Sequence, residues 1–281
     1  MERSGAGEGE FWDRRAAAWE RRAEALDGFS DAYGIPAMDA LGVQPGQRVL
    51  DVGCGPGTTA IELARRVGPD GAVVGVDISA EMVAAARRRA ERSGASNIAF
   101  RTVDVQDGAL DGPYDAAYSR FGVMFFPDPV AAFANIAGAL RSGGRFAAAV
   151  WGPLEANPWM FLPTLAACAA LGAEPTLPGP GQPGPFSLAD PAHLAELLGA
   201  AGFVDVEVEP VEGERRIPRA TADDEMRSLL EVGPVADAFA SADDAGRAAA
   251  IDAVAASLAP YEDEAGWAVP GVARRVLASA P

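Results

Sequence analysis

Val49-Leu50-Asp51-Val52-Gly53-Cys54-Gly55-Pro56-Gly57-Thr58-Thr59 is the stretch on which the fold turns. An apolar run ends on an acid, three alternate glycines follow, and a helix-forming segment comes next. That order reads as strand, tight loop and helix. The glycines let the backbone turn sharply and come close to a bound molecule. The helix start beyond them leaves N–H groups unpaired and suited to a polar ligand.

The rhythm continues outward from this loop. Arg48–Gly53 is the first predicted strand and Thr58–Val67 the helix after it. Ala72–Asp77 is a second strand, Ser79–Ser93 a helix with Ser79 as N-cap, and Ile98–Val103 a third strand. Tyr114–Phe121, the Asp128–Leu140 helix with Pro129 at its first position, and Gly144–Trp151 complete the pattern. Strands alternating with helices at this spacing imply an α/β fold with a parallel sheet covered on both faces. Upstream, Phe11–Leu41 is helical in pattern, with an interruption expected at Gly34-Ile35-Pro36; residues 1–10 read as disordered. Downstream, Trp159–Leu171 and Asp190–Ala201 read as helices and Val204–Val211 as a half-exposed edge strand. Residues 218–260 read as further helices and Val272–Leu277 as a last strand. The expected organisation is an N-terminal helical lid (1–41), a core (42–152), an insert (153–186), and a C-terminal part of the core (187–281) carrying a helical cap (218–260).

Composition narrows the chemistry. All 23 basic residues among the 281 are Arg, so a P-loop lysine, a Schiff-base lysine and a Tyr/Lys reductase pair are excluded. One His excludes two-His metal sites, and no metal is expected. Two distant Cys exclude a four-Cys cluster or a disulfide scaffold. Forty acids give a net charge of −17 and argue against a nucleic-acid partner. Residues 205–281 hold 16 of those acids against 7 Arg, so the excess lies in the edge strand and cap rather than at the glycine loop. No stretch reads as a signal peptide or a membrane span, and a cytoplasmic location is the expectation.

Two cofactors compete for the loop. Dinucleotide folds carry G-x-G-x-x-G; here Gly53, Gly55 and Gly57 are spaced G-x-G-x-G, and Pro56 removes one N–H. In an S-adenosylmethionine (SAM) loop, Asp51 orients the cationic amino-acid end of the cofactor. Asp77, at the end of the second strand, suits both ribose hydroxyls in either fold. Asp104, at the end of the third, suits an adenine amino group, with the next backbone N–H, that of Val105, on the ring. Ser119-Arg120-Phe121 ends the fourth strand.

Asp51–Gly57, Asp77-Ile78-Ser79, Asp104-Val105 and Tyr114–Pro129 (YDAAYSRFGVMFFPDP) together resemble class I SAM-dependent methyltransferases, and within them the bacterial group related to ubiquinone/menaquinone-biosynthesis methyltransferases. Asn157-Pro158-Trp159-Met160, Pro183-Gly184-Pro185-Phe186 and Ala200-Ala201-Gly202-Phe203 resemble the same group. The resemblance implies a Rossmann-like, doubly wound seven-stranded sheet in the order 3-2-1-4-5-7-6, with strand 7 antiparallel. It implies SAM as cofactor and S-adenosyl-L-homocysteine as product. It places Asp51, Gly53, Gly55, Gly57, Asp77, Ile78, Asp104, Val105 and Ser119 around the cofactor, with Trp19 on a helix that closes over it. The implied partner is a small-molecule acceptor, methylated on O, N or C in secondary metabolism, with a homodimer as an allowed state and no membrane insertion.

Candidates for the chemistry itself are few. Arg120 faces the acceptor in the resembled fold and could orient a carboxylate or phosphate. His193 is the sole imidazole. Many relatives place a His just after the fourth strand, but this chain reads Gly122-Val123-Met124-Phe125-Phe126 there. A proximity mechanism is therefore expected. Tyr33 is a candidate lid contact, and Phe121, Phe125, Phe126, Trp151, Trp159 and Phe161 are candidate acceptor walls. The Pro/Gly-rich loop 175–185 is expected to act as a lid. A SAM-fold protein catalysing a cyclisation, with SAM structural, and a non-catalytic binding module are the alternatives.

Overall fold

The structure is a computed structural model and describes residues 5–175, 178 and 182–281. Two helices, α1 (Gly5–Arg21) and α2 (Ala23–Leu41), precede an alternating core. The core runs β1 (Arg48–Val52), α3 (Thr58–Val67), β2 (Ala72–Asp77), α4 (Ala80–Ser93), β3 (Ile98–Thr102), β4 (Tyr114–Arg120), α5 (Pro129–Ala139) and β5 (Leu140–Trp151). Then follow α6 (Pro158–Leu171), α7 (Pro191–Ala200) and β6 (Val204–Pro218). The helices α8 (Ala222–Val232), α9 (Ala236–Ser241) and α10 (Asp244–Ser257) form a cap, and β7 (Glu262–Asp263) and β8 (Gly266–Ser279) close the chain.

The sheet order is β3-β2-β1-β4-β5-β8-β6, with β7 paired only to β8. β8 is antiparallel to β5, β6 and β7, and the remaining pairs are parallel. This is the Rossmann-like order expected, with β8 in the place of strand 7. The order reverses direction between β1 and β4, the switch point where open sheets of this kind bind ligands. Apolar side chains from both faces form two cores, one beneath α3 and α4 and one beneath α5, α6, α7 and the cap. Central strands such as β1 are buried nearly throughout, while β6 alternates half-buried and exposed positions as an edge strand does.

Local signals set most boundaries. Ser79 Oγ accepts the Met82 N–H at 3.1 Å, and Asp128 and Asp190 cap α5 and α7 ahead of a proline. Three expectations are corrected. α2 runs unbroken through Gly34 and Pro36, and the helical segment divides at Arg22 instead. Gly34 serves a close crossing: a Cβ there would lie 2.6 Å from Arg120 Cδ, and its carbonyl accepts the Tyr118 hydroxyl at 2.8 Å. The carbonyl that Pro36 leaves without its donor belongs to Ala32, an exposed residue. Residues 5–10, expected to be disordered, are helical within α1, while residues 1–4 lie outside the described residues. β6 and β8 are much longer than expected because they pair with each other from Val204–Ser279 to Pro218–Gly266. Of the expected lid loop, residues 176–177 and 179–181 lie outside the described residues. No helix among the described residues is long and apolar enough to cross a membrane.

Candidate active site

Beyond β1 the chain turns through Gly53 (φ +67°), Gly55 (φ +50°) and Gly57 (φ +88°), conformations that glycine alone adopts at little cost. Gly53 N and Cys54 N both donate to Val76 O, at 2.8 and 3.0 Å. A Cβ on Gly53 would stand 2.9 Å from Gly122 Cα, so the loops after β1 and β4 cross backbone against backbone. A Cβ on Gly57 would stand 2.9 Å from Ala86 Cβ, which lets α3 start tight against α4. Around Gly55 a Cβ would meet nothing within 4 Å, which marks the open side of the loop.

Asp51 is wholly buried on β1. Its Oδ2 accepts the Thr59 hydroxyl at 2.6 Å, while Oδ1 is buried with no partner. Burial pushes its pKa up to about 7, against the opposing effects of Thr59 and the Arg120 charge. A buried carboxylate oxygen without a partner is costly unless a donor or cation reaches it. The ammonium group of an amino acid is such a cation, and this vacant acceptor beside an open glycine turn fits the amino-acid end of SAM.

Asp77 ends β2 half-buried; its two oxygens accept Gly55 N at 2.9 Å and Ser79 N at 3.0 Å. Burial raises its pKa, opposed by these N–H groups. Each carboxylate oxygen keeps a second lone pair, so the same carboxylate can both brace the loop and accept a hydroxyl. Asp104 closes a turn of its own, with Oδ1 accepting Gln106 N at 3.0 Å. Val105 is buried in the core and Ile78 is half-buried. A Cβ on Gly9 would lie 3.4 Å from the Ile78 carbonyl, so α1 passes over this position. Asp13 of α1 accepts Ser79 Oγ at 2.6 Å and Glu81 N at 3.2 Å, which fastens α1 to the start of α4. Trp19 is half-buried, its ring edge-on to Trp12 at 6.0 Å, and its Nε1 is buried with no partner.

Three further expected residues make the following contacts. Ser119 is fully buried and its hydroxyl donates to Val52 O at 2.8 Å, so it ties β4 to β1 rather than presenting its side chain to a cofactor. Arg120 is already paired within the chain: Nη1 meets Asp31 at 2.5 Å and Nη2 meets Asp27 at 2.6 Å, with the side chain 13% exposed. Asp27 also accepts the Thr58 hydroxyl at 2.8 Å and Arg89 at 2.9 Å. One carboxylate of α2 thus clamps the end of β4, the start of α3 and the side of α4. His193 is exposed in the first turn of α7 and lines a small cleft of about 40 Å³ with Val123, Phe126 and Ser187, not with Asp51, Asp77 or Asp104.

The expected aromatic walls divide. Phe121 takes a left-handed backbone (φ +61°), rare for a bulky residue and often found at functional sites, and stacks on Trp151 at 4.0 Å. Trp151 meets Trp159 at 4.9 Å, and Phe29 and Tyr33 of α2 at 5.5 and 5.1 Å. Phe125 turns instead to Trp12 and Phe126 to Phe133, and Phe161 is half-buried on α6. Sequence reasoning missed Thr59, Asp27, Asp31, Phe29 and Arg215. Arg215 did leave a signal: it shares the inward parity of β6 with Val211, Gly213 and Ile217.

Comparison with known proteins identifies the family. The family model described as a methyltransferase domain matches residues 44–165. The nocamycin O-methyltransferase of Saccharothrix syringae is 31% identical over 217 residues, 71% of this chain and 77% of that protein. An aklanonic acid methyltransferase of a Streptomyces species (strain C5) is 38% identical over 103 residues, 36% of this chain and 47% of that one. Among solved structures, phosphoethanolamine N-methyltransferase 2 of Haemonchus contortus in complex with S-adenosyl-L-methionine gives a TM-score of 0.55 at 21% identity, covering 88% of this chain and 52% of that chain. The chain belongs to the methyltransferase-domain family; it is a class I SAM-dependent methyltransferase.

Proposed function

We propose that this enzyme methylates a small organic acceptor of secondary metabolism, on oxygen foremost, by holding acceptor and methyl donor together without a general base of its own. The observation that carries the reading is the unpartnered Oδ1 of Asp51 beside the Gly53–Gly122 crossing. Asp51 would hold the amino-acid end of SAM, Asp77 the ribose, and Asp104 with Val105 the adenine, while Trp19 and α1 cover them. When bound, SAM supplies a methyl group on a cationic sulfur that leaves as a neutral thioether. The chain's task is then alignment at about 3–3.5 Å and exclusion of water. The stacked pair Phe121 and Trp151, next to the crossing, is apolar and suited to both.

The names of the two relatives, nocamycin and aklanonic acid methyltransferases, support a small-molecule acceptor. The deciding test is calorimetric titration with SAM, followed by a screen of acidic and phenolic metabolites with S-adenosylhomocysteine release as the readout. Tight SAM binding with acceptor-dependent release is expected. Turnover without release would assign a cyclase-like role to the fold, and absence of SAM binding would overturn the reading altogether.

A further inference from the structure

Arg215 carries a charge that the chain leaves under-partnered. Its side chain is 2% exposed, and its Nε has no partner. Its ion pair is a single contact from Nη2 to Glu225 at 3.3 Å. A guanidinium offers five donors in a planar fork, and donors left unsatisfied in the interior cost free energy. The group stands 4.8 Å from the centre of the Phe29 ring and 5.9 Å from that of Trp159, so the same rings that meet Trp151 hold the cation in place.

A second unsatisfied group belongs to the same cluster, where Tyr33 meets Phe29 at 5.4 Å and Trp151 at 5.1 Å. Tyr33 is fully buried, and its hydroxyl has no partner. The hydroxyl sits in a notch made by two glycines that face each other on β6 and β8. A Cβ on Gly271 would come within 2.5 Å of the hydroxyl, and one on Gly213 within 3.0 Å. Burial, and the Glu214 charge after it, push its pKa up to about 12, so it remains a donor at neutral pH. One turn along α8 from Glu225, Ser228 is also buried with its hydroxyl unpartnered. Glu225 itself lies at the start of α8 with its side chain 22% exposed, within reach of water.

We propose that Arg215, with the Tyr33 hydroxyl, anchors a carboxylate of the methyl acceptor, whose flat apolar body lies along Phe121 and Trp151. Glu225 holds the place of that carboxylate until the acceptor arrives. This rests on the methyltransferase reading above and adds the acceptor's charge class to it. A carboxylate meets the guanidinium fork with two parallel hydrogen bonds where Glu225 makes one long one. The exchange releases Glu225 to solvent, so no buried charge is left alone. A protein with a net charge of −17 repels anions at long range. A desolvated arginine inside the cluster is what makes an anionic acceptor acceptable there. A purely structural Arg215–Glu225 pair would contribute to stability and leave acceptor charge preference untouched.

The test uses two probes of one shape, 2-naphthoate and 2-naphthamide, titrated by calorimetry into the full chain saturated with S-adenosylhomocysteine. Naphthoate should bind at least about tenfold more tightly than naphthamide, the size expected of a charge-assisted pair. Arg215→Gln should bring the two within about twofold, Arg215→Lys should keep part of the preference, and Glu225→Gln should tighten naphthoate by removing its competitor. No naphthoate binding, equal binding of the two probes, or a preference that survives in folded Arg215→Gln overturns the proposal. If Arg215→Gln does not fold, an unchanged naphthoate affinity in Glu225→Gln overturns it. S-adenosylhomocysteine binding is measured first on the same sample, and the probes are also titrated without it. Loss of that binding sinks the methyltransferase reading, whereas its retention without a naphthoate preference sinks only the Arg215 assignment.

Discussion

Replacing Asp51 with Asn isolates a buried group whose charge is set by whether a cation sits beside it. Burial moves the Asp51 carboxyl from its ordinary 3.8 to about 7. With that value it is about 90% protonated at pH 6 and about 10% protonated at pH 8 in the cofactor-free protein. A cation at the vacant Oδ1 favours the ionised form. Binding SAM at pH 6 should therefore release about 0.9 proton from Asp51. The amino group of SAM contributes little at that pH, because α-amino groups titrate near 7.7–8.0. Titration calorimetry in two buffers of different ionisation enthalpy measures the number directly. Asp51→Asn, which can still accept the Thr59 hydroxyl, should weaken SAM binding and abolish the proton release. The sign for stability runs the other way. A carboxyl with a raised folded pKa holds a proton that the unfolded chain gives up, so the cofactor-free fold loses stability as pH rises from about 4 to 7. At about 1.4 kcal/mol per pKa unit, the loss is at most about 4 kcal/mol. Asp51→Asn should accordingly match the parent in Tm at pH 4 and exceed it at pH 8. SAM binding at pH 6 without proton release, or with the same release in Asp51→Asn, refutes the assignment of the ammonium to Asp51.

Two further outcomes follow from the same geometry. Asp77→Ala should weaken SAM by about 1.5–3 kcal/mol, the size of hydrogen bonds to a charged group. It should also lower Tm, because Gly55 N and Ser79 N lose their acceptor; unchanged SAM affinity in calorimetry would remove Asp77 from the ribose. His193→Ala should leave turnover within about threefold of the parent, because the imidazole is exposed on α7. A drop beyond about 10²-fold, the low end for loss of a general base, would end the proximity mechanism.

The glycine turn and the acids at the ends of β1 and β2 were legible because each rests on local chemistry, whereas the strand order came only with the family resemblance. A left-handed backbone at Gly53, Gly55 and Gly57 needs glycine, and a period of strand and helix needs buried apolar runs. Roles that depend on which elements meet were not legible. Arg120 at the end of β4 looked free for an acceptor because nothing local shows that α2 crosses it. Gly34 was read as a break, yet its missing side chain is what admits the Arg120 stem and lets Asp27 and Asp31 reach the guanidinium. The bond that Ser119 makes was hidden for a related reason: parity along β4 gives a face, but only the β1 register shows the Val52 carbonyl waiting for its hydroxyl. Arg215 is the opposite case. Its place among Val211, Gly213 and Ile217 on the inward side of β6 follows a period of two, but the half-exposed edge strand expected there stopped at Val211 and left Arg215 outside it. A charged residue on the buried parity of an acidic edge strand is therefore informative in its own right. The sequence around it supplies no local reason to bury it, so the reason has to lie in what the folded chain brings to it, and here that is an aromatic cluster beside the Gly53–Gly122 crossing.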